Sequence, residues 1–284
     1  MKESSLLIVG CGDLGEKVGR ALQKLHWRID AVRRRPPADS AGFTWHATDY
    51  SINGSLDFAE TLQPDFVLAT FTPTDREVAG YQRGFTRAAA NLLHGIGSHQ
   101  VKCLIMVSST RVYAEKDGGW VDETSPLDRT DERAGAIIEA ERLLLQSGQA
   151  ACVVRCAGIY GASDGRLQAR VKRGEIAPAD PPRYTNRIHR DDCAGFLAHL
   201  LLRAQAGDRL HAIYNAVDNA PAPAHEVESW LAGAMGVTAP ALAGRKHDSE
   251  SGHKRCRNAL LQSSGYRLRY PDYRAGYGAV LYPG

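Results

Sequence analysis

Three glycines near the start of the chain, Gly10, Gly12 and Gly15, have the spacing G-x-G-x-x-G and lie between an apolar run and a helical pattern. In that context the first glycine permits a tight turn, the second lets the backbone approach a diphosphate, and the third allows close helix–strand packing. The helix start then offers unpaired N–H groups to the phosphates. The sequence therefore predicts a dinucleotide site at Gly10, Gly12, Asp13, Leu14 and Gly15.

The tip of the second predicted strand indicates which dinucleotide binds. The strand ends in Val32-Arg33-Arg34-Arg35, with no acid at its tip, and Asp30 lies too early in it. An acid at the tip binds the ribose 2′-hydroxyl of NAD, whereas arginine accommodates the 2′-phosphate of NADP. We therefore predict NADP, with NAD as the alternative, and expect Arg33 and Arg34 to contact the cofactor.

The elements that must position these residues alternate along the first half of the chain. Apolar runs separated by helical patterns predict βαβ units, a parallel sheet and right-handed crossovers. The predicted strands are 6–9, 28–32, 43–50, 64–71, 101–109 and 151–158. The predicted helices are 13–25, 77–93 and 131–146, the last capped by Thr130, and in the second half 191–204, 224–234 and 257–264.

This pattern predicts an α/β fold with a Rossmann-type doubly wound parallel sheet and a smaller C-terminal substrate lobe. We place the dinucleotide-binding domain at residues 1–161 and the lobe at 162–284, with some strands of the lobe returning to the main sheet. The second region has irregular spacing and Pro-rich breaks, which is why we separate it from the first.

Composition excludes several classes of protein. A net charge of +3 over 284 residues gives no basic stripe for nucleic acid, and no apolar run reaches the ~20 residues that span a bilayer. The first residues lead directly into a strand, so we expect no signal peptide and a cytoplasmic protein. The six cysteines are scattered, several inside apolar runs, which indicates buried free thiols and no metal site.

Three later motifs resemble those of the extended short-chain dehydrogenase/reductase superfamily, in its NAD(P)-dependent epimerase/dehydratase-like branch and among its atypical members. They are "SSTRVY" at 108–113, "RCAGIYG" at 155–161 and "NRIHRDDCA" at 186–194. The resemblance covers most of the chain. It implies an oxidoreductase or epimerase/dehydratase whose small-molecule substrate is sugar-like, with a nucleotide-linked sugar as the candidate. It also implies a homodimer, because many relatives pair through a helix bundle.

The resemblance also implies roles for single residues. It assigns Ser109 to orienting a substrate oxygen, and it makes Tyr113 a candidate proton donor, with packing as the alternative. Further cofactor contacts are expected at Asp49, Thr70 and Ser108, although Asp49 also suits a strand-end turn. Substrate contacts are expected at Arg155, Asn186 and His189, although a structural hydrogen bond is the alternative for His189. Candidates for contacting a substrate diphosphate are Arg187, Lys254 and Arg255, with a solvated surface position as the alternative.

The superfamily's Tyr-x-x-x-Lys pair, which carries out proton transfer, is absent. Residues 114–159 contain no tyrosine and residues 117–171 contain no lysine, and the two positions of the pair fall on Arg133 and Ile137. Arginine does not exchange protons near neutral pH. Two hypotheses follow: an enzyme in which Ser109 and an unfamiliar acid, such as Asp131 or Glu132, act on the substrate, or a non-catalytic protein that senses NADP(H) or a metabolite.

Overall fold

A computed structural model of the chain describes residues 3–38, 42–237 and 253–282. Its first half runs in the order β1 (Ser5–Val9), α1 (Asp13–Gln23), β2 (Arg28–Val32), β3 (Thr44–His46), α2 (Phe58–Leu62), β4 (Phe66–Ala69), α3 (Val78–Tyr81), α4 (Ala88–Ile96) and β5 (Cys103–Ser109). A π-helical segment, Gln82–Arg87, joins α3 to α4 without a break. A single turn of 3₁₀ helix, Thr110–Val112, follows β5.

The second half has shorter elements. They are β6 (Trp120–Val121), α5 (Glu132–Leu145), β7 (Ala151–Cys156), β8 (Gly158–Tyr160), α6 (Arg166–Lys172), β9 (Tyr184–Thr185), β10 (Arg187–His189), α7 (Arg190–Gln205), β11 (Ile213–Ala216), β12 (Ala222–Pro223), α8 (Ala224–Ala234), β13 (Arg255–Cys256), α9 (Ala259–Ser263) and α10 (Tyr273–Leu281). Three small two-stranded sheets pair β8 with β10, β9 with β12 and β6 with β13.

Seven strands form one central sheet in the order β3-β2-β1-β4-β5-β7-β11. The pairs β1–β2, β1–β4, β2–β3 and β4–β5 are parallel. All five residues of β1 are buried, as expected of a strand covered on both faces. After β1 the chain adds β2 and β3 on one side and then crosses to add β4 and β5 on the other. The carboxyl ends of β1 and β4 therefore form the switch point at which such sheets bind ligands. The predicted Rossmann-type α/β fold is confirmed.

Local hydrogen bonds explain why some predicted helix and strand boundaries differ from those in the structure. The strand predicted over 43–50 is only Thr44–His46, because the Asp49 carboxylate accepts bonds from the backbone N–H and hydroxyl of Ser51 and turns the chain. Helix α5 is capped by Asp131 and not by Thr130. The Asp131 carboxylate accepts the backbone N–H of Arg133 at 2.9 Å and of Ala134 at 3.3 Å.

The chain divides into two compact units, each assembled from three stretches of sequence. Unit 1 contains Met1–Val112, Asp128–Arg155 and Ala194–Tyr214. Unit 2 contains Tyr113–Leu127, Cys156–Cys193 and Asn215–Gly284. The apolar cores follow this division: in unit 1 the core is formed by strands of the central sheet together with the helices that flank it, whereas α8 and α10 pack around Val227, Leu231, Tyr273 and Tyr277 in unit 2.

Three properties of the described residues bear on function. All six cysteines are buried free thiols, and Cys156 and Cys193 share a thiol–thiol hydrogen bond with their sulfur atoms 3.5 Å apart. Within those residues no three His, Cys, Asp or Glu side chains converge as metal ligands. Nor, within them, does any helix combine the length and apolar character needed to cross a membrane.

Candidate functional site

A cavity of about 430 Å³ opens at the switch point of the central sheet. It is lined by the segments that follow four strands, and we call it the switch-point cavity. Its lining residues are Gly10, Cys11, Gly12, Arg33, Arg34, Arg35, Asp49, Tyr50, Thr72, Pro73 and Thr74. The structure therefore brings together five of the predicted cofactor residues, Gly10, Gly12, Arg33, Arg34 and Asp49, which are distant in sequence.

The glycine turn after β1 has the geometry that the motif requires. Gly10 has a φ of +87°, and a Cβ there would lie 2.8 Å from the carbonyl oxygen of Thr70. A Cβ at Gly15 would lie 2.9 Å from Ile8 Cγ2, so this glycine allows α1 to pack on β1. Gly12 faces open space, with nothing nearer to its Cβ position than 3.9 Å. That opening is the kind of cradle into which a diphosphate fits.

The start of α1 is left available to a ligand. Gly12 is its N-cap residue and has no side chain with which to cap the first turn. The early N–H groups of a helix then require another acceptor, and the positive end of the helix dipole favours an anion. Burial raises the pKa of the neighbouring Cys11 thiol to about 12, so this lining residue stays neutral and does not repel a phosphate.

The opposite end of the cavity carries the three arginines. Arg33, Arg34 and Arg35 are exposed and follow β2, and the Arg34 guanidinium lies 3.9 Å from the Asp49 carboxylate. Asp30, by contrast, is buried within β2 and binds His46 Nε2 at 2.9 Å. Asp30 is therefore bound to a residue of the neighbouring strand β3, and the residues at the tip of β2 are the three arginines.

One lining residue, Tyr50, has no signal in the sequence pattern. The Tyr50 phenol accepts the Thr72 backbone N–H at 3.2 Å, and a Cβ at Gly10 would lie 3.2 Å from its ring. Tyr50 thus joins the ends of β1, β3 and β4.

Thr70, predicted as a cofactor contact, is buried instead, and its hydroxyl donates to the Gly10 carbonyl at 2.7 Å. Thr70 therefore stabilises the backbone of the glycine turn and does not line the cavity.

The two serines at the end of β5 have different surroundings. Ser108, predicted to contact the cofactor, is buried, and its hydroxyl donates to Glu141 Oε1 at 2.5 Å. Glu141 also accepts two bonds from the buried Arg155 guanidinium, at 2.7 and 3.1 Å. Ser109 is half-buried, and its Oγ accepts the Arg111 backbone N–H at 3.2 Å. The Ser109 hydroxyl hydrogen is therefore not used in that bond.

Two of the three candidate proton donors, Tyr113 and Asp131, are engaged elsewhere. Tyr113 is 1% exposed, and its phenol donates to Asn215 Oδ1 at 2.6 Å within unit 2. The burial of Tyr113 favours packing, which was the alternative to its role as a proton donor. Asp131 caps α5 and binds the Arg111 guanidinium at 2.8 Å. Glu132 lies in the first turn of the same helix, exposed to solvent.

The three predicted substrate residues are divided between the units. Arg155 is in unit 1, where it is 2% exposed and paired with Glu141, so its guanidinium is not presented to a ligand. Asn186 and His189 are in unit 2. The Asn186 amide binds the backbone of Lys254 and Cys256 and so holds β13.

His189 has the structural hydrogen bond that was left open as its alternative role. The Nδ1 atom accepts the Asp191 backbone N–H at 3.2 Å, and the ring packs against Tyr160 and Tyr270. The nearby Asp192 carboxylate accepts the backbone N–H groups of Arg269 and Tyr270, each at 2.8 Å.

The basic side chains predicted to contact a substrate diphosphate differ in their exposure to solvent. Arg187 and Lys254 are buried. Arg255 is half-buried, with its guanidinium 5.1 Å from the ring centre of Trp120 and 4.6 Å from that of Tyr184. Arg257 covers the same indole at 4.8 Å. Within the described residues neither Arg255 nor Arg257 has a carboxylate at ion-pairing distance, and Arg255 Nε donates to the Gly118 carbonyl oxygen at 2.8 Å.

The comparisons with known proteins agree with this geometry. No protein-family model and no curated protein matches the chain. Among solved structures, a protein from Methylobacillus flagellatus assigned to the NAD-dependent epimerases/dehydratases is 32% identical, with 99% of this chain and 98% of that one covered and a TM-score of 0.84. A conserved protein of unknown function from Silicibacter pomeroyi is 28% identical over 98% of both chains, with a TM-score of 0.74.

A third structure adds likeness of fold. MoeE5, solved in complex with UDP-glucuronic acid and NAD, is 21% identical over 98% of both chains, with a TM-score of 0.81. The Methylobacillus flagellatus protein is similar over nearly its whole length and at more than 30% identity. Together with the strand order and the glycine turn, that similarity shows that this chain belongs to the NAD-dependent epimerase/dehydratase family.

Proposed function

We propose that this chain binds a nicotinamide dinucleotide in the switch-point cavity and acts on a nucleotide-linked sugar. The observation that carries the proposal is the convergence of the glycine turn after β1, the arginines after β2 and the segment after β4 on one cavity. These residues fit a dinucleotide, because Gly12 and the uncapped start of α1 suit its diphosphate. When bound, the nicotinamide ring supplies hydride transfer.

Ser109 is the residue proposed to meet the substrate. Its Oγ already accepts a backbone N–H, so its hydrogen is directed to another acceptor, such as a hydroxyl or carbonyl oxygen of the sugar. A positioned donor of this kind stabilises negative charge that develops on that oxygen.

We further propose NADP as the preferred cofactor. Three exposed guanidinium groups at the tip of β2 suit a 2′-phosphate, and Asp30 is bound to His46. Two of the similar solved structures, MoeE5 among them, were solved with NAD bound. NAD is therefore the alternative, and a direct comparison of the two cofactors decides between them.

The second candidate function is a non-catalytic sensor of NADP(H) or a metabolite. It is favoured by the absence of the Tyr-x-x-x-Lys pair and by the engagement of Tyr113 with Asn215 and of Asp131 with Arg111. General acid–base groups typically contribute ~10²–10⁴-fold to a rate. A chain in which Tyr113 and Asp131 are already engaged would bind both ligands and turn over slowly or not at all.

The expected homodimer is proposed to form through a groove of about 800 Å³ between α3–α4 and α5. Arg87 and Glu132 line this helix groove, and among the described residues neither has an ion-pair partner. In a two-fold interface, Arg87 of one copy can pair with Glu132 of the other. Sedimentation of the Arg87→Glu chain should then show a weakened dimer, and adding Glu132→Arg should restore it.

One set of measurements tests the proposed activity. Calorimetry would give the dissociation constants of NADH and NADPH, and nuclear magnetic resonance would follow UDP-glucose or UDP-glucuronic acid with each oxidised cofactor. We expect cofactor binding, and turnover that falls by about 10²–10³-fold in Ser109→Ala with unchanged cofactor affinity. Binding without turnover above the Ser109→Ala level would support the sensor. A chain that bound neither cofactor would contradict both functions.

A further inference from the structure

One wall of the switch-point cavity has no regular secondary structure of its own. After β4 ends at Ala69, Thr72, Pro73 and Thr74 line the cavity before α3 begins at Val78. Tyr50 holds only the first of them, through the Thr72 backbone. The remainder must be held by the helical residues that follow, since loops are positioned by the rigid elements beside them.

The backbone of α3 and of the π-helical segment is the surface on which this wall rests. The Thr74 backbone N–H donates to the Gly80 carbonyl at 3.1 Å. A Cβ at Gly80 would lie 2.6 Å from the Asp75 carbonyl oxygen, and one at Gly84 would lie 2.7 Å from Pro73 Cα. Both glycines are thus needed for contact between the wall and the helix backbone.

The Arg83 side chain also binds this wall, through Thr74 and Asp75. Its Nε donates to Thr74 Oγ1 at 3.2 Å, and a terminal nitrogen of its guanidinium donates to Asp75 Oδ2 at 2.5 Å. The other oxygen of Asp75 accepts the Glu77 backbone N–H at 2.9 Å, next to the start of α3. The planar fork of one arginine therefore binds two successive residues of the segment through two separate nitrogens held in a fixed geometry, which the single ammonium group of a lysine does not offer.

We propose that Arg83 is a positioning residue for cofactor binding: it holds Thr74 and Asp75 so that the cavity wall is preformed when a dinucleotide arrives. The inference rests on the proposed function. Arg83 and Asp75 are each about two-fifths exposed, and exposed ion pairs add little to folding stability. Ordering a loop before binding, by contrast, lowers the entropic cost of binding. The effect should therefore appear in affinity and not in stability.

The test compares cofactor affinity with unliganded stability in the full chain. The variants are Arg83→Ala, Asp75→Asn and their combination, with Arg76→Ala as the control. Arg76 is an exposed arginine beside Asp75 that does not line the cavity, so it controls for the loss of a positive charge. The dissociation constants of NADH and NADPH would be measured by calorimetry, and melting temperatures without ligand.

We expect the two single variants to raise the dissociation constants by about three- to tenfold, the double variant to add nothing further, and Arg76→Ala to bind like the unsubstituted chain. Melting temperatures should stay within a few degrees. Arg83→Lys, which keeps the charge and one bond, should be intermediate and serves if Arg83→Ala does not fold.

Two results would overturn the inference. Equal affinity in all of these chains would remove the role of Arg83 and leave the proposed function intact. A lowered melting temperature with unchanged affinity would make the contact purely structural. If the unsubstituted chain bound neither NADH nor NADPH, the proposed function itself would fall, so the two failures are distinguishable.

Discussion

Arg33 and Arg34 are the single residues on which the choice of cofactor depends. Their guanidinium groups follow β2 and line the switch-point cavity, whereas Asp30 is bound to His46. We expect the double variant Arg33→Ala, Arg34→Ala to lose about 10- to 100-fold in NADPH affinity, because each charge-assisted bond to a phosphate contributes about 1.5–3 kcal/mol before partial replacement by solvent. NADH affinity, which needs no such bond, should change less than threefold. Calorimetry with both cofactors measures this, and an unchanged NADPH affinity would exclude the 2′-phosphate contact.

Glu141 and Arg155 form the most deeply buried ion pair that involves a predicted site residue. Both side chains are almost fully buried. Glu141→Gln should destabilise the chain by about 3–5 kcal/mol, because the Arg155 charge stays buried without its carboxylate.

Urea denaturation measures this loss, and Glu139→Gln is the matched control on the same helix. Glu139 pairs with Arg142 at the surface, so its substitution should cost less than about 1 kcal/mol. Similar losses in the two variants would show that the buried pair has no special importance for folding.

At the scale of elements, two helical glycines should respond in opposite ways to alanine. A Cβ at Gly84 would lie 2.7 Å from Pro73 Cα, so Gly84→Ala must displace the cavity wall and should cost about 1–3 kcal/mol. Gly135 in α5 has nothing within 4 Å of its Cβ position, so Gly135→Ala should stabilise the chain by up to about 1 kcal/mol. Chemical denaturation of both variants measures the difference, and two effects of the same sign would contradict the packing described.

Elements with strong periodicity were predictable from sequence. The bounds of β2 and α8 were predicted correctly, and β1, β5 and α1 differ from prediction by one or two residues. Their burial is continuous or amphipathic, which is the signal that sequence periodicity carries. The strand predicted over 43–50 was too long, because a side chain–backbone turn at Asp49 ended it.

Elements that depend on distant partners were not predicted. Strand β11 has four residues and pairs with the neighbouring β7, while α10 corresponds to none of the predicted helices. In the candidate site, the glycine turn and the arginines followed from local spacing. The contacts of Tyr50 with Thr72 and of Tyr113 with Asn215 join residues 22 and 102 positions apart, and no local pattern encodes them.

For the molecule as a whole, the pH dependence of stability should reflect one buried carboxyl group in unit 2. Burial raises the pKa of Asp218 to about 7, with Arg187 opposing the shift and Asp272 and Asp192 adding to it. Oδ1 accepts the Ala220 backbone N–H, while Oδ2 is buried without a hydrogen-bond partner in the described part of the chain.

Because the folded pKa of Asp218 is raised above its unfolded value, its contribution to stability is complete below about pH 4 and is lost as pH rises through about 7. We expect the free energy of unfolding to fall by up to a few kcal/mol over this window. Asp218→Asn should flatten that fall, whereas Asp208→Asn, at an exposed position, should not. Urea denaturation between pH 5 and 8 measures both, and an equal slope in Asp218→Asn would contradict the assignment.

The place of β11 in the central sheet has a consequence for synthesis of the chain. Its residues 213–216 form the outermost strand beside β7, whose own residues end at 156. While the polypeptide is being translated, the flank of β7 stays open until about sixty further residues have left the ribosome, and open flanks of this kind attract other chains. A recombinant fragment cut at residue 161 would keep that flank open permanently. Insoluble expression of such a fragment, relieved by supplying the missing piece in trans, is the outcome this topology leads us to expect.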